Sequence, residues 1–287
     1  MAVNTQTLAK LDFKAYNFDQ MKLFSCDVGL MNNPKRSLSL ELKKIADNNF
    51  SFIDLVLEPP KCLRTELSTT KVNSTLKKTS LFAVGHTWYD HHFAHPTKRI
   101  RDIYLDELKR DIKFFKKLGC TLVAVHPDAN YKMLDKKDVI QLNIMSLKKL
   151  SLFARKQGLK LLLENITQGA ITSVNDIRII LKEVPSLGLL LDVNHANAIS
   201  KRTIYEFFEQ CGPKIEHLHL SDNNGKDEHL PIGQGTINWK RVLSAVKDLK
   251  QCRTITLEVY ARNSSDQTQL KYQLQSLQAL QSLSRNL

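Results

Sequence analysis

Short apolar runs alternate along this chain with longer stretches whose apolar positions recur every three or four residues. The short runs read as strands over residues 21–26, 50–57, 81–84, 121–125, 159–163, 187–191, 215–220 and 254–257. The longer stretches read as helices over residues 38–48, 97–118, 137–157, 173–181, 201–211, 239–249 and 267–283, with Gly119 and Gly158 as stop signals and Ser173 and Asn238 as N-caps. Residues 61–78 are polar, basic and poorly periodic, which predicts a long loop holding a short helix. The runs L-K-L-L-L and L-G-L-L-L lack polar alternation, as parallel strands covered on both faces do. Eight strands, most followed by a helix, fit a (β/α)8 TIM barrel over residues 21–287, with residues 1–20 as an N-terminal extension. A doubly wound open sheet would need a glycine-rich phosphate turn after the first strand, and F-S-C-D-V-G-L is not one.

The polar residues that interrupt this pattern fall at one kind of place. From the third strand to the eighth, each run ends in, or is followed at once by, a potential metal ligand: His86, His126, Glu164, Asp192, His195, His219, Asp227, His229 and Glu258. A closed barrel brings the C-terminal ends of all its strands to one face, so these scattered groups converge. The densest stretch runs from Ile215 to Trp239, where His219, Asp222, Asp227 and His229 crowd together before Gly233 and Gly235 turn the chain back. Imidazole and carboxylate without thiolate suit zinc, manganese or iron. Four carboxylates carry −4 and three divalent ions +6, leaving about +2 for hydroxide and an anionic substrate. One ion would leave most of nine groups idle, so the expectation is a divalent centre, zinc first, of up to three ions.

Composition narrows the setting. No apolar run approaches the ~20 residues that span a bilayer, and no secretory h-region opens the chain, so a cytoplasmic protein is expected. The five cysteines are scattered without a C-x-x-C pair and read as reduced thiols. A formal net charge of +13 favours a phosphate-bearing partner such as DNA or a phosphosugar, although Lys109, Lys113, Lys116 and Lys117 also solvate a helix face.

The runs A-V-H-P-D, L-L-L-E-N, L-D-V-N-H-A, H-L-S-D, D-E-H-L-P-I-G-Q-G and T-L-E-V resemble the xylose isomerase-like TIM barrel superfamily. Within it they are most similar to the endonuclease IV type of apurinic endonucleases (AP endonuclease family 2). That resemblance implies three zinc ions held by the nine side chains above, with Glu164 and Glu258 as bridging carboxylates that position a hydroxide. It also implies substrate contacts from Tyr89, Glu58 and Asn165, Tyr89 matching an aromatic inserted into DNA. The chain departs from the pattern after Tyr89, where Asp90, His91, His92 and His95 replace an apolar wedge, and at L-V-L-E-P-P after the second strand. The sibling sugar isomerases and epimerases hold one metal with a Glu, Asp, His, Glu set, which Glu164, Asp192, His219 and Glu258 supply equally well. Phosphoester hydrolysis leads, sugar or sugar-phosphate isomerisation or epimerisation is the alternative, and a non-catalytic barrel binding nucleic acid through its lysines comes third.

Overall fold

The computed structural model describes residues 21–260 and 265–287, so the extension expected over 1–20 lies outside the described residues. The strands are β1 (Lys22–Leu23), β2 (Cys26–Met31), β3 (Phe52–Val56), β4 (Phe82–His86), β5 (Leu122–Val125), β6 (Lys160–Glu164), β7 (Gly188–Asp192), β8 (Ile215–Leu220) and β9 (Thr254–Leu257). Strands β2 to β9 pair in parallel in chain order, and β2 also pairs with β9, which closes eight strands into a barrel. The short β1 joins only β2, antiparallel, as a hairpin across the strand starts. The helices are α1 (Leu38–Asp47), α2 (Thr69–Thr79), α3 (Lys98–Lys117), α4 (Lys136–Lys156), α5 (Val174–Glu183), α6 (Val193–Ile199), α7 (Thr203–Cys211), α8 (Trp239–Lys247) and α9 (Asp266–Ser284).

Two hydrophobic clusters follow from the period of two along each strand. Leu161, Leu163, Leu189 and Leu191 face outward into the large core beneath the helices, whereas Ala124, Leu162 and Leu190 form a separate cluster inside the barrel. The inward set then turns ionisable at the strand ends: Leu162 is followed by Glu164, Leu190 by Asp192, His217 by His219 and Thr256 by Glu258. Helix starts match their sequence signals. Ser173 and Asp176 form a reciprocal capping box on α5, and Asn238 accepts from the Arg241 amide at 3.1 Å to cap α8.

The structure departs from the sequence reading at three places. The first barrel strand is 26–31, not 21–26, because the chain turns at Phe24, whose φ is 55°, and Gly29 lies inside the strand. A Cβ on Gly29 would meet the Phe52 ring at 2.6 Å, so this glycine serves close strand packing, not a turn. The basic stretch after the second strand carries an eleven-residue helix, α2, which Ser68 caps by accepting from the Lys71 amide. Helix α6 went unread, because V-N-H-A-N-A-I is short and polar. All five cysteines are buried free thiols. No helix among the described residues is long and apolar enough to cross a membrane.

Candidate metal centre

Every one of the nine strand-end residues reaches the mouth of the barrel, and they sort into three neighbouring ligand sets. Glu164, Asp192, His219 and Glu258 form the central set; His86, His126 and Glu164 lie on one side, and His195, Asp227 and His229 on the other. In each set the candidate ligand atoms lie within 4.8 Å of one another. Glu164 joins the first two sets: its Oε2 lies 3.0 Å from His126 Nε2 and 3.2 Å from His86 Nε2, and its Oε1 lies 3.6 Å from His219 Nδ1. Glu258 Oε2 lies 2.7 Å from His219 Nδ1.

Local structure aims these atoms. Asp192 divides its carboxylate: Oδ1 accepts from the His195 amide at 2.8 Å, capping α6, and Oδ2 faces the central set. Asn165, expected to touch substrate, is buried with its amide committed to Asp192, accepting from its N–H at 2.8 Å and donating to its C=O at 2.9 Å. It therefore holds Asp192 in place. Asp222 is an anchor, not a ligand: it accepts from the amides of Asn223, Gly233 and Ile237 and from the Trp239 indole. Those bonds fold the 221–238 loop back so that Asp227 and His229 face the barrel. Gly235 packs against Asp222 and the Asn223 backbone with no room for a Cβ. His229 adopts a left-handed φ of 53°, an uncommon conformation for a residue other than glycine.

The donor chemistry fits divalent cations. His195 Nδ1 donates to the Asn165 carbonyl at 2.9 Å and His229 Nδ1 to the Glu258 carbonyl at 3.0 Å. Each ring thus presents Nε2 toward Asp227, at 3.7 and 2.9 Å. A ligating histidine characteristically donates its other nitrogen in this way. Glu164 Oε2, Asp192 Oδ2, His219 Nδ1 and Glu258 Oε2 are buried and make no hydrogen bond, one such atom from each member of the central set. Buried polar atoms without partners are costly, and Asp192 Oδ2 and Glu258 Oε2 both face His219 Nδ1, with the shared carboxylate of Glu164 beside them, an arrangement that a cation would satisfy.

The proton affinities describe an electron-rich pocket. Burial works against the charged forms of Glu164 and Glu258, but His126 and His219 outweigh it at Glu164, as His229 and His219 do at Glu258, and hold both carboxyls below their ordinary range. Burial wins at Asp192, which is pushed up to about 6. Burial would lower the imidazoles, yet Asp54 and Glu164 raise His86 to about 10, and Glu258 and Asp227 raise His229 to about 10. Glu58 is half-buried beside the cluster, its carboxyl raised by burial. Tyr89 stands on the rim, 64% exposed.

Three groups in or under the site went unread in the sequence. Asp54 and His217 lie inside the barrel below the central set, and Tyr260 donates its hydroxyl to Glu258 Oε1 at 3.2 Å. The signals were an acid within the apolar run F-I-D-L-V and two histidines on one face of I-E-H-L-H-L.

A family model described as xylose isomerase-like TIM barrel matches residues 42–283. An uncharacterized protein of Methanocaldococcus jannaschii is 27% identical over 235 residues, 77% of this chain and 79% of that protein. Fructoselysine 3-epimerase of Shigella flexneri is 28% identical over 152 residues, 50% of this chain and 54% of that protein. The crystal structure of a D-tagatose 3-epimerase-like protein superposes with a TM-score of 0.78 at 24% identity, covering 90% of this chain and 97% of the other.

Proposed function

The chain belongs to the xylose isomerase-like TIM barrel family, and from that footing we propose that it is a divalent-metal-dependent sugar or sugar-phosphate epimerase or isomerase. This reverses the order of the two enzyme readings drawn from the sequence, since fructoselysine 3-epimerase is among the relatives and a D-tagatose 3-epimerase-like protein among the similar structures. The observation that carries it is the central set, in which Glu164 and Glu258 face a common point with Asp192 and His219. A divalent ion bound there would polarise a substrate carbonyl and hydroxyl as a Lewis acid. One of the two glutamates takes the proton from the carbon beside the carbonyl, and the other returns a proton to the opposite face. The Tyr260 hydroxyl at Glu258 Oε1 fixes the orientation of that carboxylate. His195 and His229, locked through Nδ1 by backbone carbonyls, leave Nε2 to accept a hydrogen bond from a substrate hydroxyl.

A second reading, phosphoester hydrolysis with up to three ions, is favoured by one observation. The two flanking sets each bring three candidate ligands beside the four of the central one, and His195 and His229 are oriented as ligands. Metal content per chain, measured alongside turnover in deuterated water with a panel of ketoses and ketose phosphates, separates the two. We expect about one ion and deuterium at the carbon next to the carbonyl. Near three ions, no exchange with any ketose and cleavage of a DNA strand at an abasic site would overturn the epimerase reading.

A further inference from the structure

Asp54 is the one carboxylate among the described residues that sits wholly inside the barrel rather than at its mouth, and it is fully buried. Barrel closure brings it to residues 163 and 165 positions away: its Oδ2 lies 3.2 Å from His217 Nε2 and accepts from His219 Nε2 at 2.8 Å. The Thr256 hydroxyl donates to the same oxygen at 2.9 Å. The other oxygen, Oδ1, faces His86 Nδ1 at 3.7 Å. An ionised carboxylate in such a place is costly unless fully partnered, and a barrel core built from leucine and alanine would avoid the cost.

The partners show what it supplies. His217 has a second contact of its own, since its Nδ1 lies 2.7 Å from the Thr254 hydroxyl. For the Nε2 hydrogen of His219, Asp54 is the acceptor, and that ring's Nδ1 is turned toward Glu258, Glu164 and Asp192 at 2.7, 3.6 and 3.8 Å. A proton fixed on Nε2 leaves the lone pair on Nδ1. We propose that Asp54 is a positioning residue, which holds His219 in the tautomer and orientation that make Nδ1 the ligand atom of the central set. The inference rests on the metal-centre reading above. Through Oδ1 the same carboxylate also faces His86 Nδ1, at 3.7 Å and without a hydrogen bond, so its hold is on His219.

Asp54→Asn keeps the volume and removes the charge that holds the Nε2 proton. Its zinc dissociation constant, read by competition with a chromophoric chelator, should be about 10–100-fold weaker than wild type, the effect typical of a partner behind a ligating histidine. Thr256→Val removes a donor to the same carboxylate but leaves its charge, and should weaken zinc binding by less than Asp54→Asn does, whereas a general loosening of the barrel interior would give both variants the same loss. Should Asp54→Asn fail to fold, nitrogen-15 spectra of histidine-labelled, zinc-loaded wild type decide the matter. The His219 proton is expected on Nε2, with Nδ1 bound to metal. Equal zinc affinity in Asp54→Asn and wild type, zinc bound through His219 Nε2, or an ion seated between Asp54, His217 and His219 would overturn the proposal. A wild type that binds no zinc or manganese would instead remove the metal centre itself, and the positioning role with it.

Discussion

The two ends of this barrel are built from the same inward-facing positions and have opposite chemistry. At the strand starts, Phe52 stacks on Phe82 with ring centroids 5.1 Å apart, and the β1–β2 hairpin closes the end with buried Met21, Leu23 and Cys26. At the strand ends, the positions in line with them hold His86, Glu164, Asp192, His219 and Glu258, each with at least one buried atom left without a hydrogen bond. The lower end is satisfied by the protein alone, and the upper end is not. Stability and chemistry should therefore separate along the barrel axis, as they do in parallel barrels generally.

The largest expected effect tests that separation directly. Glu164→Gln removes the carboxylate shared by two ligand sets and should cut turnover by more than about 100-fold, beyond what disturbing an outer partner of a metal costs. Leu23→Ala at the opposite end should lower unfolding free energy by about 2–5 kcal/mol while turnover per folded molecule stays at the wild-type value. Denaturant melts paired with active-site-normalised kinetics give both numbers. A Leu23→Ala protein that is stable but slow would mean that the ends are mechanically coupled.

How much of this was legible depended on where each residue broke its pattern. His86, Glu164, Asp192 and Glu258 stand where an apolar run stops, so position along one strand was enough to suspect them. Asp54 and His217 stand inside their runs and acquire meaning only when closure sets β3 opposite β8, contacts more than 160 residues apart in sequence. The first strand was misplaced because its apolar run stops at Cys26, whereas the paired strand continues through Gly29, where the Phe52 ring fills the space of the missing Cβ. The resemblance implies a substrate contact at Asn165, yet its amide both donates to and accepts from the backbone of Asp192 on the next strand. Whether the groups at the mouth bind one ion or three was beyond sequence reading, since the epimerase subset lies within the larger set.

A moderate effect sharpens the contrast through pH. In the metal-free protein His86 and His229 are raised to about 10 from an ordinary 6.5, so the stability they contribute is complete below pH 6.5 and is lost as pH rises toward 10. Asp192 is raised to about 6 from 3.8, so its contribution is present below pH 3.8 and is lost as pH rises through 6. Metal-free Tm should therefore fall between pH 6.5 and 10, while zinc-loaded protein, in which a divalent charge beside these imidazoles disfavours their protonated forms, should show a flatter profile. Metal-free Asp192→Asn should melt higher than wild type at pH 8, where the buried carboxylate is charged, and show no such gain near pH 4. It should also lose metal affinity. Equal pH profiles with and without zinc would mean that these histidines do not face the ion.

The smallest expected effect lies on the rim, where the mouth meets solvent. Tyr89 is 64% exposed and touches Trp88 edge-on at 6.1 Å, so Tyr89→Ala should change unfolding free energy by no more than about 0.5 kcal/mol. Its effect on function separates a small substrate from a polymer. A ketose held by the central set lies deep in the mouth, and kcat/KM for it should barely change. A nucleic acid crossing the rim would lose a stacking platform worth about 1–3 kcal/mol, or about 5- to 150-fold in affinity. The net charge of +13 makes the second outcome measurable, because polyanion binding weakens by orders of magnitude between about 50 and 200 mM salt when six or more phosphates are contacted. Binding of single-stranded and abasic duplex DNA by wild type and Tyr89→Ala should be followed across that salt range, with ketose turnover measured on the same preparations. On the epimerase reading, Tyr89→Ala leaves turnover intact and DNA binding is weak and insensitive to the substitution. A steep salt slope in the wild type with a 5-fold or greater loss in Tyr89→Ala would move the function from the interior of the mouth to its rim.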